Sequence, residues 1–165
     1  MFKKIAYTLA FIGALGSVAA VAANKAQSPL SSEMKAFVVQ KDATGKEKLM
    51  AVKSAEPGQT IQYQLTYQNK GKGALKGLTV TGPVPANTHF LGKSTHTKVK
   101  ADLVVSIDGG KTYEKEPVKR MKAQADGSKK MVVIPADKYT HVRWKTKSAL
   151  QSGSKQVFNY RVKVN

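Results

Sequence analysis

The chain contains no cysteine, so its stability must come from packing and hydrogen bonds rather than from disulfides. The same absence excludes a lipoprotein that is anchored through an acylated cysteine. Acidic residues are also scarce, since 10 Asp and Glu stand against 28 Lys and Arg, for a formal net charge of +18. This charge favours solubility and attraction to polyanions, but it carries no information about the fold.

Catalytic signatures are missing as well. The ten carboxylates are scattered and suggest no acid–base pair, and Gln151–Ser154 is a turn rather than a nucleophile elbow. The three histidines, His89, His96 and His141, have no metal-ligand spacing, and His141 is predicted to be exposed. We expect no enzyme, no cofactor and no metal site.

The N-terminus has the pattern of a secretory signal peptide. Lys3 and Lys4 precede an apolar run, Ile5–Ala23, that ends in small residues, which favours cleavage beside Ala23. The alternative is a membrane anchor, because the run is nearly long enough to span a bilayer. Cleavage predicts an exported protein, periplasmic or extracellular at the cell surface, with no membrane span. A flexible leader, 24–33, and one domain, 34–165, would follow.

The clearest strand pattern lies between Pro57 and Phe90. Apolar and polar residues alternate from position 61 to 68, which is typical of a half-buried strand. A turn-rich segment follows, the alternation resumes at Leu78 and Val80, and Pro83–Pro85 ends it. We interpret the stretch as two strands that form a core hairpin.

Other strands are predicted along the remaining chain. Segments 34–40 and 48–53 indicate a hairpin, and further strands are expected at 88–91, 101–107, 131–134, 139–147 and 157–164. The charged stretch 114–130 is predicted to be a long surface loop or a ragged hairpin. About seven to nine short strands without a helical period predict an all-β, antiparallel β-sandwich.

Three aromatic residues are predicted to anchor the core. Tyr63 and Tyr67 lie on the apolar side of the alternating strand, and Trp144 alternates with Val142. For Trp144, the only tryptophan, the alternative is an exposed stacking platform.

An ordered set of short motifs resembles the domain of unknown function number eleven, the conserved repeat domain of bacterial envelope and surface proteins. The resemblance covers roughly residues 51–164 and implies an immunoglobulin-like sandwich in an exported, non-catalytic module without a defined ligand. Gly82 departs from the family pattern, which usually has an aspartate there. The motifs are Ile61-Gln62-Tyr63, Thr66-Tyr67-Gln68-Asn69, Leu78-Thr79-Val80-Thr81, Pro83-Val84-Pro85, Thr88-His89-Phe90, Ser106-Ile107-Asp108-Gly109-Gly110 and Tyr139-Thr140-His141-Val142-Arg143-Trp144.

Residues 106–113 (SIDGGKTY) also resemble the aspartate box of sialidase-type propeller blades. In that motif the aspartate stabilises a hairpin and is not catalytic. We expect Asp108 to accept backbone N–H bonds across the turn, while Gly109 and Gly110 supply positive φ. The alternative role is contact with a carbohydrate or a metal.

Basic residues are the remaining functional signal. The simplest interpretation is a solvated surface, and the alternative is a dedicated polyanion site. Because exposed aromatics are not interleaved with the lysines, we expect no specific nucleic-acid recognition. The candidate polyanion contacts are Lys93, Lys98, Lys100, Lys115, Lys119, Arg120, Lys122, Lys129 and Lys130.

Three functions remain open at this stage. The first is a structural or interaction module of the cell envelope or extracellular matrix, with an envelope or matrix protein as partner. The second is a soluble protein that binds an anionic polymer such as lipopolysaccharide, teichoic acid or extracellular DNA. The third is a self-associating fibre subunit in which a neighbour receives the N-terminal strand, 34–40.

Overall fold

A computed structural model describes residues 28–165, so the predicted signal peptide and positions 24–27 of the leader lie outside the described residues. The described chain is all β apart from one 3-10 turn, Ala136–Lys138. The strands are β1 (Leu30–Lys41), β2 (Glu47–Ala51), β3 (Thr60–Asn69), β4 (Thr79–Pro83), β5 (Thr88–Phe90), β6 (His96–Thr97), β7 (Ala101–Ser106), β8 (Lys119–Ala123), β9 (Lys129–Val133), β10 (His141–Thr146) and β11 (Lys155–Val164).

Nine strands form two antiparallel sheets that pack face to face. The larger sheet has the order β2-β1-β3-β11-β5, and the short β6 pairs with β11 beside β5. The smaller sheet has the order β4-β10-β7. Strands β8 and β9 form a separate two-stranded sheet. The predicted all-β, antiparallel sandwich is therefore confirmed, with eleven strands in place of seven to nine.

The core lies where the inward faces of the two sheets meet. On β11 every second residue from Phe158 to Val162 is buried, and on β10 Val142 and Trp144 are buried. The Trp144 ring lies 5.4 Å from the Phe158 ring and 6.2 Å from the Tyr160 ring, which joins the two sheets. The period of two thus places one face of each strand in a shared apolar layer.

The core hairpin predicted between 57 and 90 is wrong. Strand β3 lies in the larger sheet, whereas β4 pairs with β10 in the smaller sheet. The reason is the connection after Asn69, whose buried amide Nδ2 donates to the Gly73 carbonyl at 2.7 Å and to the Leu150 carbonyl at 3.0 Å. Those bonds hold the loop against the 147–154 turn, so that the chain crosses between the sheets.

The structure shows a packing role for Gly82, the position at which the sequence departs from the pattern of the family that it resembles. The Tyr160 ring lies directly against the Gly82 backbone, where an added Cβ would be 2.9 Å from ring Cζ. The same tyrosine hydroxyl donates to the Pro83 carbonyl. An aspartate at position 82 would therefore collide with Tyr160. Burial also raises the pKa of the Tyr160 hydroxyl.

The leader boundary is also corrected. Strand β1 begins at Leu30, which pairs with Asn69, so that Leu30–Glu33 belong to the larger sheet rather than to a flexible leader. Strand β1 pairs with β2 on one side and β3 on the other. Strand exchange would require β1 to leave both partners, and it stays a prediction. From position 28 onward, no helix has the length and apolar character needed to cross a membrane.

Candidate anion-binding surface

Strands β8 and β9 form a ribbon that pairs with no other strand of the described chain. Of the two predictions for 114–130, the ragged hairpin is the one that the structure confirms. Its tip is a turn in which the Gln124 N–H donates to the Ser128 carbonyl at 2.8 Å. Gly127, at φ 82°, supplies the left-handed position of that turn. The Asp126 carboxylate accepts from the Ser128 N–H at 2.9 Å.

The ribbon is attached to the sandwich at its base. Val118 is 1% exposed and belongs to the core, and its carbonyl accepts from the Ile134 N–H at 2.9 Å. Ile134 is partly buried against the same core. One residue further from the sandwich on each strand, Lys119 and Val133 are both exposed. The ribbon thus projects from the point at which burial stops.

The register of the ribbon places two lysines directly opposite each other. Lys122 pairs with Lys130, one step from the Ala123–Lys129 pair, and Lys119 pairs with Val133 at the base. Directly opposite side chains in an antiparallel pair have Cβ atoms about 4.5–5.5 Å apart, and like charges there are destabilising. Among residues 28–165, none of these four ammonium groups takes part in an ion pair. The register therefore brings uncompensated positive charges close together on the ribbon.

Arg120, a predicted polyanion contact, has a different role. Its two terminal guanidinium nitrogens donate to the two carboxylate oxygens of Glu114, and Nη1 also donates to the Lys119 carbonyl at 2.8 Å. The Arg120 hydrogen bonds hold the pKa of the Glu114 carboxyl below its usual value. Arg120 therefore ties the ribbon to the segment before it, and its charge is compensated.

The other predicted contacts are dispersed. Lys93 lines a groove on the outer face of the larger sheet, whereas Lys98 and Lys100 lie between β6 and β7. Lys100 precedes the start of β7, and the ribbon segment joins the opposite end of that strand through the Val105–Glu114 bridge. Lys115 follows this bridge and is exposed. The nine candidates therefore do not form one patch. Four of them, Lys119, Lys122, Lys129 and Lys130, lie on the ribbon, whereas Lys115 lies near Asp102 of β7 together with Lys145 and Lys147.

The groove that contains Lys93 has a volume of about 530 Å³ and is open to solvent. Arg161 and Asn159 of β11 form its floor, and the 91–96 loop forms its wall. Arg161 is already engaged, because it donates to Gln62 Oε1 at 3.0 Å and to both carboxylate oxygens of Glu47, at 3.0 and 2.7 Å. The charge of Arg161 is therefore compensated, whereas Lys93 takes part in no ion pair among the described residues.

The aspartate-box turn adopts the structural role that the sequence predicts. Asp108 Oδ1 accepts from the Thr112 N–H at 2.9 Å and from Ser106 Oγ at 2.7 Å, and Oδ2 accepts from Thr112 Oγ1 at 2.6 Å. Gly109 and Gly110 have φ of 75° and 86°. Hydrogen bonds from Thr112 and Ser106 hold the pKa of Asp108 well below its usual value. Both carboxylate oxygens are thus occupied by the turn itself.

A stack of side chains on the outer face of the smaller sheet was not predicted. The Arg143 guanidinium carbon lies 3.4 Å from the centroid of the Tyr113 ring, and Arg143 Nε donates to Thr81 Oγ1 at 2.8 Å. His141 is half-buried with its ring 6.5 Å from Tyr113, so the prediction of an exposed histidine is wrong. The alternation placed His141 on the outer face, but it could not show that the aspartate-box turn covers that face.

The predicted core anchors differ in burial. Trp144 is 3% exposed between the sheets, which excludes an exposed stacking platform. Tyr63 and Tyr67 are partly buried at the margin of the core, and burial raises the pKa of both hydroxyls. Tyr63 stacks on Tyr160 at 5.2 Å, and Tyr67 meets Phe158 edge-on at 6.4 Å.

In the part of the chain that the structure describes, no group of three His, Asp or Glu side chains is placed to hold a metal ion. No family model matches the chain, and no curated protein or solved structure matches it either. The resemblance to the conserved repeat domain therefore stays a prediction.

Proposed function

We propose that this protein is an exported, non-catalytic interaction module of the bacterial cell envelope that binds an anionic polymer through the β8–β9 ribbon. The observation that carries the proposal is the Lys122–Lys130 pair on one face of the ribbon, with Lys119 and Lys129 on its other face. None of the four has a carboxylate partner among the described residues. Like charges that face each other cost stability in the free protein, and a bound polyanion relieves that cost.

The rest of the molecule acts as the scaffold for this surface. The signal-peptide pattern supports export, and the packed antiparallel sheets agree with the immunoglobulin-like architecture that the family resemblance implies. The aspartate box is fully engaged in its own turn, and Arg161 in the floor of the Lys93 groove is already paired with Glu47. The four ribbon lysines have no acidic partner among the described residues, so their charge remains available to a ligand.

The test uses inorganic polyphosphate as the probe and two variants with the same loss of charge. The ribbon variant replaces Lys119, Lys122, Lys129 and Lys130 by Gln. The control variant replaces Lys35, Lys41, Lys46 and Lys48, four exposed lysines of the β1–β2 hairpin, by Gln. We expect the ribbon variant to lose about tenfold or more in affinity, with its slope of log affinity against log salt reduced by roughly three.

The control variant should lose much less, since two of its lysines, Lys35 and Lys48, are already paired with Glu33 and Asp42. Equal losses in both variants would show that only the total charge of the protein matters. No binding of the native chain at low salt would overturn the proposal altogether.

A further inference from the structure

One face of the ribbon is apolar at its centre although it lies outside the core. Met121 and Met131 are paired across the ribbon and are 56% and 54% exposed, and Val133, on the same face, is 57% exposed. Lys119 and Lys129 lie at the two ends of this face. A purely hydrophilic polyanion would make no use of the two methionines and the valine. We call this the methionine face.

We propose that the methionine face docks on an anionic lipid surface, so that the polyanion of the proposed function carries acyl chains. The inference rests on the proposed function and narrows its ligand class. Lys122 and Lys130 lie on the other face of the ribbon, so the lipid contacts use Lys119 and Lys129. Met121 and Met131 would enter the boundary between headgroups and acyl chains, while Lys119 and Lys129 extend their ammonium groups to the phosphates. Flexible thioethers and long lysine stems suit such a boundary.

The charge pattern argues against a second copy of the chain as the occupant. Two methionine faces in contact would bring Lys119 and Lys129 of one copy close to those of the other, with no acidic residue on either face. The exposed apolar residues of β2, Leu49 and Met50, have a different setting, because Glu47 and Lys48 beside them carry opposite charges. Exposed Met34 likewise lies between Glu33 and Lys35, which form an ion pair. Among residues 28–165, the methionine face is therefore the one that combines apolar exposure with charge of a single sign.

The ribbon also has an extended, protruding shape that allows it to contact a flat lipid surface. Five residues of strand extend roughly 17 Å, and the ribbon pairs with no sandwich strand in the described chain. Its base is held by Val118, so the face keeps a defined orientation on the domain. A protruding basic ribbon can therefore reach headgroups without insertion of the sandwich.

The absence of cysteine allows a local test, because each single cysteine introduced is the only site for labelling. Met131→Cys and, as the control, Met50→Cys are each labelled with an environment-sensitive fluorophore and mixed with phosphatidylglycerol–phosphatidylcholine vesicles. We expect the label at position 131 to shift to the blue and to be quenched by a lipid-chain quencher. The label at position 50 should not change. Because the readout is local, apolar residues elsewhere, such as those of 5–23, cannot produce it.

A second pair of variants separates this inference from the proposed function. Met121→Ser with Met131→Ser should weaken vesicle binding by the ribbon about tenfold, while polyphosphate binding changes less than about twofold. Met34→Ser with Met50→Ser, two methionines of similar exposure, should change neither.

If the label at position 131 stays in water, or if the label at position 50 responds equally, the lipid inference is wrong. Polyphosphate binding that still depends on the ribbon lysines would then leave the proposed function standing. If the native chain binds neither the vesicles nor polyphosphate, both proposals are wrong.

Discussion

The two outer hairpins of the molecule, β1–β2 and β8–β9, each contain five residue pairs, but their structural surroundings differ. Strand β1 continues the larger sheet through nine pairs with β3, so the first hairpin is part of the sandwich. The second hairpin pairs with no other strand between residues 28 and 165, and a two-stranded hairpin on its own is marginally stable in water. The first hairpin therefore contributes to the fold, and the second contributes an exposed surface.

Charge divides the hairpins in the same way. On the first, Glu47 accepts from Arg161 and Lys48 lies 3.8 Å from Asp42, so that opposite charges meet. On the second, Lys122 faces Lys130. Stability favours the first pattern, and a binding surface for an anion favours the second. The difference agrees with the proposal that the ribbon binds an anionic ligand.

The largest expected effect tests whether the sandwich and the ribbon contribute differently to stability. Trp144→Ala should lower the free energy of unfolding by about 3–5 kcal/mol, because it removes a buried ring that joins the two sheets. Met131→Ala, on the ribbon, should lower it by less than about 0.5 kcal/mol. Urea unfolding measures both, and a comparable loss for Met131→Ala would contradict the separation of roles.

A smaller effect is expected where the sheets meet at Gly82. Gly82→Ala should destabilise the protein by about 1–3 kcal/mol, since the new methyl group collides with the Tyr160 ring. Gly73→Ala is the matched control, because a Cβ at that position meets no atom within 4 Å. Equal stability of the two variants would show that Tyr160 moves aside, and that position 82 does not require glycine.

The aspartate-box turn, which connects β7 to the ribbon segment, should show a pH-dependent effect. The folded pKa of Asp108 is lowered from its ordinary value of 3.8, so its stabilisation is present above that pH and is lost as the pH falls through the folded value. The melting temperature of Asp108→Asn should be below that of the native chain at pH 7, and the gap should narrow below about pH 4. A gap independent of pH would contradict this account.

The smallest effect compares the hairpins directly. Lys130→Gln should slow amide hydrogen exchange in β8 and β9 about two- to fivefold, because it removes the repulsion with Lys122. Lys48→Gln should instead leave exchange in β2 unchanged or accelerate it, since the substitution removes the ion pair with Asp42. Faster exchange in the Lys130→Gln ribbon would show that the two lysines do not repel each other.

Sequence alternation predicted the sandwich strands well for a physical reason. Ile61 and Leu65, and likewise Val142 and Trp144, have one face in the core, and burial imposes the period of two. The ribbon has no such face, so its strand residues show no alternation and 114–130 could be predicted only as a loop or a ragged hairpin. The partner of β4 could not be predicted either, because the bonds of Asn69 decide which sheet the chain enters.

The candidate site was predictable only in part. Composition indicated that the lysines are exposed. Whether Lys122 and Lys130 lie opposite each other depends on the strand register, which the 124–128 turn determines. The compensation of Arg120 by Glu114, six residues earlier, likewise requires the three-dimensional path of the chain. The methionine face follows from the same register, since it places Met121 opposite Met131.

The measurement that most directly tests the ribbon as the binding surface is amide hydrogen exchange of the native chain with and without inorganic polyphosphate. The account predicts that the ligand increases protection in residues 119–133, because it stabilises a marginally stable hairpin, and leaves β2 unchanged. Protection confined to the Lys93 groove or to residues 98–100, with none in the ribbon, would contradict it.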